Sequence, residues 1–364
     1  RVLTADRSHR RLGLAKLAHR DVVDAAPEDR TALEAYARGV NAGLATLRAL
    51  PPEFALLGFD PEPWQAWHSA LVGRLLLFTF ATNWDTELLR EELLRLLGPE
   101  RAAVSESGLR VSSANGECST SVSYVPGVLE RLLAAHRAAQ EAGVAVGLPT
   151  GGGASNAFAV GPGRSTTGAP LLAADPHLAP RLPGFFHLVH LAGGGLTVVG
   201  ADVAGLPGVA MGHNGVLAWG LTAGLADVAD CYVEDLDPAD PGRYRTPEGW
   251  ETGRWRLETI TVRGAAPVEE RVLETRHGPV IGPALPGEQR AIALHATPLQ
   301  PSDAVSPFLA LGRARKIEAF EAALERWPGE QDAWNQWQPI KVRDGTPKLN
   351  SQTFLEQRNA APLD

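Results

Sequence analysis

The stretch GGGASNAFAVGPGRSTTGAPLLAADPHL, residues 151–178, decides the fold. It sets Ser155 between a glycine-rich run and short apolar segments bounded by Gly, Pro and Asp, a texture typical of strands joined by turns. A serine hydroxyl is a poor nucleophile without a base beside it. If the peptide bond before Ser155 opens, the serine gains an α-amine with an ordinary pKa of about 7.7–8.0, which can serve as that base. A plain glycine-rich linker before a strand is the simpler alternative, and residue spacing alone leaves both open.

The sequence on either side of this stretch changes its periodicity. Upstream, helical spacing of apolar residues predicts helices over residues 29–44, 68–80, 86–97 and 128–142, with a Pro-rich connector over 51–64 and a flexible run over 143–153. Downstream, short apolar or alternating segments predict strands within residues 157–161, 170–175, 185–192, 196–203, 208–212, 216–220, 231–236, 254–264 and 268–276, and a helix over 306–324. Helices, then strands, then helices favour an α+β or layered αββα fold over a βαβ repeat.

Composition excludes several classes of protein. Of the 364 residues, 44% are hydrophobic and 21% are charged, which is typical of a folded globular chain. The net charge of −8 gives no basic field for nucleic acid. The longest apolar stretch, residues 70–81, is too short to span a bilayer and contains Arg74. The two cysteines, Cys118 and Cys231, cannot form a disulfide framework for a chain of this length. The sequence begins without Met or a signal peptide, which suggests a processed or truncated N-terminus.

Familiar catalytic motifs are missing from the sequence. It has no GxxxxGK[ST] phosphate loop and no HExxH zinc motif. Residues 153–157, GASNA, depart from the GxSxG pattern at the last position. His187 and His190 form an HxxH pair, but in a strand they point to opposite faces, so one metal cannot bind both. Ser155 therefore remains the main candidate for chemistry.

An ordered set of segments carries a resemblance to a known family. The segments are SNA (155–157), GAPLLAADPHL (168–178), VAMGHNGVLAWG (209–220) and LTAGLADVAD (221–230), preceded by AYARGVNAGL (35–44), FDPEPW (59–64) and TELLREELLRLLG (86–98). In this order they resemble the penicillin acylase family of N-terminal nucleophile hydrolases, over roughly residues 10–330. The resemblance implies an α+β, four-layer αββα fold, truncated at both ends relative to the family.

The resemblance also implies a division of the chain by self-cleavage. Residues 1–127 are similar to the helical α chain, residues 128–154 to a linker peptide, and residues 155–364 to a β chain with an incomplete C-terminus. Cleavage is expected between Ala154 and Ser155. The expected partners are a small-molecule amide substrate and the α and β chains of one precursor, with no nucleic acid and no membrane span. The family resemblance points to a periplasmic or secreted protein, which the sequence itself leaves open.

Catalytic roles follow from the resemblance residue by residue. Ser155 is expected to be the nucleophile, with its own α-amine as base. His177 is expected to orient the terminus and to assist self-cleavage, or else to fill the turn after Asp175 and Pro176. The backbone N–H of Ala223 is expected to stabilise the oxyanion. The family's second oxyanion donor is an asparagine in a pattern that this sequence lacks, so Asn335 is the nearest candidate, ahead of Asn350.

A metal site and an acyl pocket are implied in the same way. The loop after Ala223 is expected to bind one structural Ca²⁺ through Glu87, Asp227, Asp230 and the carbonyl of Ala229, since hard cations prefer oxygen ligands. Two surface acids on a turn are the alternative. The pocket is expected near Phe80, Ala81, Leu178, Ala210 and Met211, which are all apolar and therefore favour a hydrophobic acyl group, unless they are plain core residues.

The sequence therefore predicts an enzyme that hydrolyses linear amides and releases a hydrophobic acyl group, in the manner of a penicillin amidase. An alternative within the family is an acylase for N-acyl-homoserine lactones, a quorum-quenching activity, or for lipopeptides. An alternative of another class is a truncated family member without catalytic activity.

Overall fold

The computed structural model describes residues 2–81, 84–85, 137, 154–178, 180, 182, 184–222, 228–282, 289–301, 303, 305–326, 341–343 and 346–348. The chain divides into two compact units. Unit 1 comprises residues 1–13, 82–150 and 227–299, and unit 2 comprises residues 14–81, 151–226 and 300–364. In the described part of the chain, no helix is both long enough and apolar enough to cross a membrane. The expected linker, 128–154, lies outside the described residues apart from Arg137 and Ala154, so the boundaries expected at 127 and 154 stay predictions.

The helices begin and end at residues that favour helix ends. They are α1 (Val2–Leu12), α2 (Leu14–Asp24), α3 (Pro27–Thr46), α4 (Pro52–Leu57), α5 (Ala66–Ala81), α6 (Ser306–Arg313) and α7 (Ile317–Glu325). Pro27 opens α3 because its fixed φ suits the first helical position, and Glu28 and Asp29 follow at the positive end of the helix dipole. Gly58 ends α4 in the left-handed conformation, with a φ of 67°.

Two helix predictions are confirmed, since α3 covers residues 29–44 and α5 covers 68–80. The connector predicted over 51–64 is wrong in part because it contains the short helix α4, opened by a proline and closed by Gly58. The single helix predicted over 306–324 is also wrong. It divides into α6 and α7 because Ala314 adopts an extended conformation, and the buried Asn214 side chain donates hydrogen bonds to the carbonyls of Gly312 and Ala314. The segments 86–97 and 143–153, and 128–142 apart from Arg137, lie outside the described residues.

Each segment that the sequence predicts as a strand contains one, although residues 216–217 and 261–264 of two predicted segments lie outside the strands. The strands are β1 (Ala154–Val160), β2 (Leu171–His177), β3 (Phe186–Gly193), β4 (Leu196–Val203), β5 (Leu206–His213), β6 (Ala218–Trp219), β7 (Ala229–Asp235), β8 (Arg243–Thr246), β9 (Gly249–Thr252), β10 (Arg254–Ile260), β11 (Val268–Thr275), β12 (Gly278–Pro279), β13 (Arg290–Ala296), β14 (Lys341–Arg343) and β15 (Thr346–Lys348). The named strands pair antiparallel. Helices combined with antiparallel sheets make the fold α+β, as predicted. His187 and His190 both lie in β3, where their spacing places them on opposite faces.

Unit 2 builds one core from its helices and its largest sheet, of strand order β3-β4-β5-β6. Buried side chains from α2, α3, α5, α6 and α7 join those of β4 and β5 in this core. Val209 and Ala210 are consecutive in β5 and only 1% and 2% exposed, so both faces of that strand are covered. Gly208 lets α6 pack closely on β5, because a Cβ atom on residue 208 would lie only 2.9 Å from the Cβ atom of Phe308.

Unit 1 is built mainly from short antiparallel sheets. Strand β7 pairs with β13, β8 with β9, and β10 with β11 and β12. Leu236, Tyr244 and Leu273 are buried in its core. Helix α1 is joined to β11 by Arg11, whose Nε donates to Glu270 over 2.7 Å. The sequence predicts β7, β10 and β11 but misses the hairpin of β8 and β9 and the strands β12 and β13.

Candidate active site

Ser155 is the second residue of β1, which forms an antiparallel hairpin with β2. The register pairs Ser155 with Pro176 and Ala154 with His177. Pro176 has no N–H, so it cannot donate a hydrogen bond to the carbonyl of Ser155. The bond between Ala154 and Ser155 therefore lies inside a strand pair, opposite the dipeptide of Pro176 and His177.

The two faces of this hairpin differ in burial. Ser155 and, on the neighbouring strand, Ala174 are half-buried, whereas Asn156, Asp175 and His177 are exposed. Successive residues of a strand point to opposite faces. Ser155 therefore projects from the more protected face, and the histidine belongs to the opposite, open face.

Three polar side chains meet on the open face. The Nε2 atom of His177 lies 2.9 Å from Oδ2 of Asp175 and 3.1 Å from Nδ2 of Asn156. The side chains of His177 and Asp175 are 42% and 72% exposed. An exposed carboxylate–histidine pair contributes little stability, because water competes for both groups. The effect of the pair is therefore on the hydrogen bonding of the imidazole ring.

The protected face of the hairpin is approached by the chain that follows β6. A Cβ placed on Gly220 would lie only 2.5 Å from the Cβ of Ala174, so glycine is required at this contact. Trp219 anchors the segment, since its buried indole donates to the carbonyl of Val209 over 3.1 Å. The contact brings Gly220 to the same face of the hairpin as Ser155. Ala223 follows three positions later and lies outside the described residues.

Asn214 holds the turn before β6 in place. Its Oδ1 accepts hydrogen bonds from the backbone N–H groups of Val216 at 3.1 Å and Leu217 at 2.9 Å. Its Nδ2 donates to the carbonyls of Ala314 at 2.6 Å and Gly312 at 3.3 Å. A buried amide with this many partners fixes the turn against the end of α6.

A buried carboxylate, Asp29, joins α3 to the two C-terminal helices. It accepts hydrogen bonds from Arg313 at 3.0 Å and Arg326 at 2.9 Å. Burial by itself raises the pKa of the Asp29 carboxyl, but hydrogen bonds from Arg326 and Arg313 outweigh burial and lower the pKa below its ordinary value. Asp303 completes the cluster, since one oxygen accepts from Arg326 and the other caps the Ser306 N–H at 2.9 Å. The cluster stabilises the helices packed on the sheet.

The residues expected to line the acyl pocket fall into two groups. Phe80 packs edge-on against Phe185 with ring centroids 5.9 Å apart, and both Phe80 and Met211 are half-buried side chains packed against the core. Leu178 follows β2 and is half-buried. Ala210 is buried within the core itself. The side chain of Ala81 lies outside the described residues.

The expected calcium ligands are only partly described. Ala229 is buried and opens β7, and Asp230 is exposed and pairs with His295 of β13. A carbonyl and a carboxylate in sequence are oxygen donors of the kind that Ca²⁺ binds. Among the described residues, no three His, Cys, Asp or Glu side chains form a group that could hold a metal. Glu87, Asp227, Asn335 and Asn350 lie outside the described residues.

Comparison with known proteins places these residues in context. The family model described as penicillin amidase matches residues 1–335. The chain belongs to the penicillin amidase family.

Several relatives within this family are curated proteins. Penicillin acylase 2 proenzyme from Pseudomonas sp. strain SE83 is 38% identical over 310 residues, which cover 82% of this chain and 38% of the relative. Acyl-homoserine lactone acylase QuiP from Pseudomonas aeruginosa strain PAO1 is 35% identical over 345 residues, which cover 89% of this chain and 40% of the relative. The chain thus spans about 40% of the length of these two members of the penicillin amidase family.

A solved structure also matches part of the chain. It is a thermostable penicillin G acylase from Alcaligenes faecalis, with a TM-score of 0.44 and 24% identity, covering 54% of this chain and 40% of that one.

Sequence reasoning missed several residues that shape this candidate site. The sequence predicts no role for Asp175, although residues two apart in a strand share a face, which indicates its contact with His177. Asn214 precedes Gly215, and an Asn-Gly pair is a turn signal. The sequence around Asn214 and Gly220 contains no signal for their contacts. Their partners, the end of α6 and Ala174, lie far away in the chain.

Proposed function

We propose that this protein is an amide hydrolase whose nucleophile is Ser155, exposed as an N-terminal residue by self-cleavage after Ala154. The observation that carries the proposal is the hairpin of β1 and β2, which puts Ser155 on the face that the Gly220 segment contacts through Ala174, in a member of the penicillin amidase family. The glycine contact supports a shared face for the hydroxyl and for the chain that leads to Ala223. The name of one relative, a proenzyme, supports processing of a precursor.

The proposed reaction has two halves. The Ser155 hydroxyl attacks the amide carbonyl while the α-amine of the same residue accepts its proton, and the amine product leaves. Water then releases the acyl group from the serine. The backbone N–H of Ala223, with Asn335 as the second proposed donor, stabilises the oxyanion, and loss of one such donor costs about 2.7–4 kcal/mol.

A hydrophobic acyl group is the proposed substrate feature. Phe80 and Met211 pack at the edge of the core of unit 2, and Leu178 directly follows the hairpin that carries Ser155. A charged acyl chain against such a wall would be buried without a partner, which is costly. We therefore propose aliphatic or aromatic acyl groups.

N-acyl-homoserine lactones are a second candidate substrate class. The observation that favours it is the similarity to QuiP, a protein named for acylase activity on these lactones, which matches 89% of this chain. The proposed chemistry at Ser155 is the same for amides of the penicillin type and for N-acyl-homoserine lactones, because in both cases hydrolysis releases an acyl group from an amide nitrogen. The two substrate classes differ in the amine part.

A structural calcium ion and a four-layer αββα arrangement complete the proposal. The ion, when bound, neutralises nearby carboxylates and fixes the chain between them, and it has no part in bond making. Asp230 and the Ala229 carbonyl would supply two of its ligands, with Glu87 and Asp227 as the others. The α+β fold and oxygen-donor chemistry of the residues support both parts.

Intact-mass measurement after expression tests the proposal. We expect two fragments, residues 1–154 and 155–364, with a new N-terminal serine on the second, and release of acid from a hydrophobic N-acyl amide. Ser155→Ala is expected to stay uncleaved and inactive.

Ser165→Ala is the matched control, because Ser165 is a half-buried residue in the connection between β1 and β2 whose hydroxyl contacts Thr167. This variant is expected to be cleaved at the normal rate. A Ser155→Ala chain that still splits at the same bond would overturn Ser155 as the nucleophile. An intact, inactive wild-type chain would favour the inactive family member.

A further inference from the structure

The His177 ring is held by two polar neighbours that compete for one nitrogen. Asp175 Oδ2 and Asn156 Nδ2 both lie within hydrogen-bond distance of Nε2, at 2.9 Å and 3.1 Å. A neutral imidazole nitrogen carries either a proton or a lone pair, so it can donate to the carboxylate or accept from the amide, but not both.

The carboxylate decides between these two forms. A carboxylate facing a lone pair at 2.9 Å is repelled, whereas a carboxylate facing an N–H accepts a charge-assisted hydrogen bond. The proton of neutral His177 therefore belongs on Nε2, and Nδ1 is left with the lone pair of a base. Without Asp175, donation by Asn156 would draw the proton to Nδ1 instead.

The strand register places this base beside one particular bond. His177 is the cross-strand partner of Ala154, the residue before the proposed cut, and Cα atoms of such partners lie about 4.5–5.5 Å apart. Ser155 projects from the other face of the hairpin. The histidine is thus placed toward Ala154 and away from the face at which we propose that substrate amides react.

We propose that Asp175 is a positioning residue that holds His177 in the Nε2-protonated form for the opening of the Ala154–Ser155 bond. This inference rests on the proposed function and assigns a separate step to the open face of the hairpin. Asp175 acts through the histidine and contacts no reacting atom.

The step is a peptide-to-ester shift followed by hydrolysis. Ser155 Oγ bonds to the Ala154 carbonyl carbon, the C–N bond breaks, and the nitrogen takes the hydroxyl proton, which leaves an ester. Water adds to the same carbon while Nδ1 of His177 accepts a proton from it. The ester C–O bond then breaks, Oγ takes a proton from solvent water, and the histidine releases to solvent the proton that it accepted. The products are the carboxyl group of Ala154 and a Ser155 with a free amine and hydroxyl.

The test uses Asp175→Asn in the full chain. Bond opening, followed by intact mass, is expected to slow by up to about fivefold, the rate equivalent of one exposed carboxylate–histidine pair. Turnover per new N-terminal serine is expected to change by less than about twofold, because His177 lies on the other face from substrate. Asp175→Glu, which retains the carboxylate, is expected to recover part of the cleavage rate.

Nitrogen NMR of ¹⁵N-histidine reads the tautomer directly. It is measured in Ser155→Ala chains, which stay intact, with the signal assigned by His177→Gln. Adding Asp175→Asn is expected to raise the Nδ1-protonated population, a change that a merely structural role would not produce.

A second carboxylate–histidine pair in the same unit supplies the matched control. Asp202 Oδ1 lies 3.2 Å from Nδ1 of His187, so Asp202→Asn removes an equivalent contact away from Ala154. This variant is expected to cleave at the normal rate, and equal slowing there would overturn the assignment.

Three further results would overturn the inference. If Asp175→Asn is cleaved normally while Ser155→Ala stays uncleaved, the positioning role of Asp175 is wrong and the proposed function is unaffected. Equal loss of turnover and cleavage would place the histidine in substrate hydrolysis. A wild-type chain that is never cleaved would overturn both proposals.

Discussion

The close approach of Gly220 to Ala174 gives the sharpest prediction. In Gly220→Ala the new Cβ would lie 2.5 Å from the Cβ of Ala174. Carbon atoms in ordinary contact are about 3.5–4.0 Å apart, so the two segments must separate by roughly 1 Å or more. Overpacking of this kind costs about 1–3 kcal/mol. We expect Tm to fall by about 2–4 °C for each kcal/mol in a unit of this size.

The same displacement should affect the chemistry more than the stability. A shift of about 1 Å in a positioning segment can reduce the rate of an enzyme about 10²-fold. Gly220→Ala is therefore expected to cleave and turn over far more slowly than its Tm loss suggests, because the segment leads to the proposed oxyanion donor at Ala223.

The assay combines thermal unfolding with intact mass and amide turnover. Ala174→Gly in the Gly220→Ala background removes the opposing methyl group and is expected to restore most of both losses. Gly163→Ala is the matched control, since a Cβ at Gly163 meets no atom within 4 Å. If Gly220→Ala behaves like this control, or if the double variant is no better than the single one, the reasoning is refuted.

Three other perturbations test the structure around the site. Asn214→Ala removes a buried amide that bonds four backbone groups and should lower the free energy of unfolding by more than about 2 kcal/mol; an unchanged urea midpoint would contradict this. The pKa of Asp29 is lower in the folded chain, so its contribution is present above its unfolded pKa of about 3.9 and is lost as pH falls through the folded value. Asp29→Asn should therefore be less stable than the parent near neutral pH by about 1–3 kcal/mol, with the difference shrinking in acid, and a difference independent of pH in urea unfolding would count against the charge effect. Chelation by EDTA should lower Tm while leaving turnover at low temperature nearly unchanged, and an identical melting curve would remove the calcium proposal.

Local periodicity is sufficient to predict much of the fold. The helices α3 and α5 follow from apolar spacing, and each short apolar segment predicted after position 154 contains a strand. The break between α6 and α7 has a different origin. It depends on Asn214, which lies about a hundred positions away, so no window of neighbouring residues contains the cause.

The candidate site was predictable to a similar extent. The placement of Ser155 at the start of a strand follows from the glycine-rich run and the apolar segment around it. The register that pairs Ala154 with His177 does not, because the turn between β1 and β2 could have been one residue longer or shorter. A slip of one residue would exchange the faces of the hairpin and move His177 to the side of Ser155.

The shared core of unit 2 affects the order in which the chain can fold and be cut. Position 154 separates α2, α3 and α5 from the sheet and from α6 and α7, yet all of them bury side chains in one cluster. An uncut chain assembles that cluster within one molecule, whereas two fragments must first meet in solution. If the proposed cut occurs, folding before cutting is therefore the productive order of events, and two fragments that unfold at high dilution must associate again before they can refold.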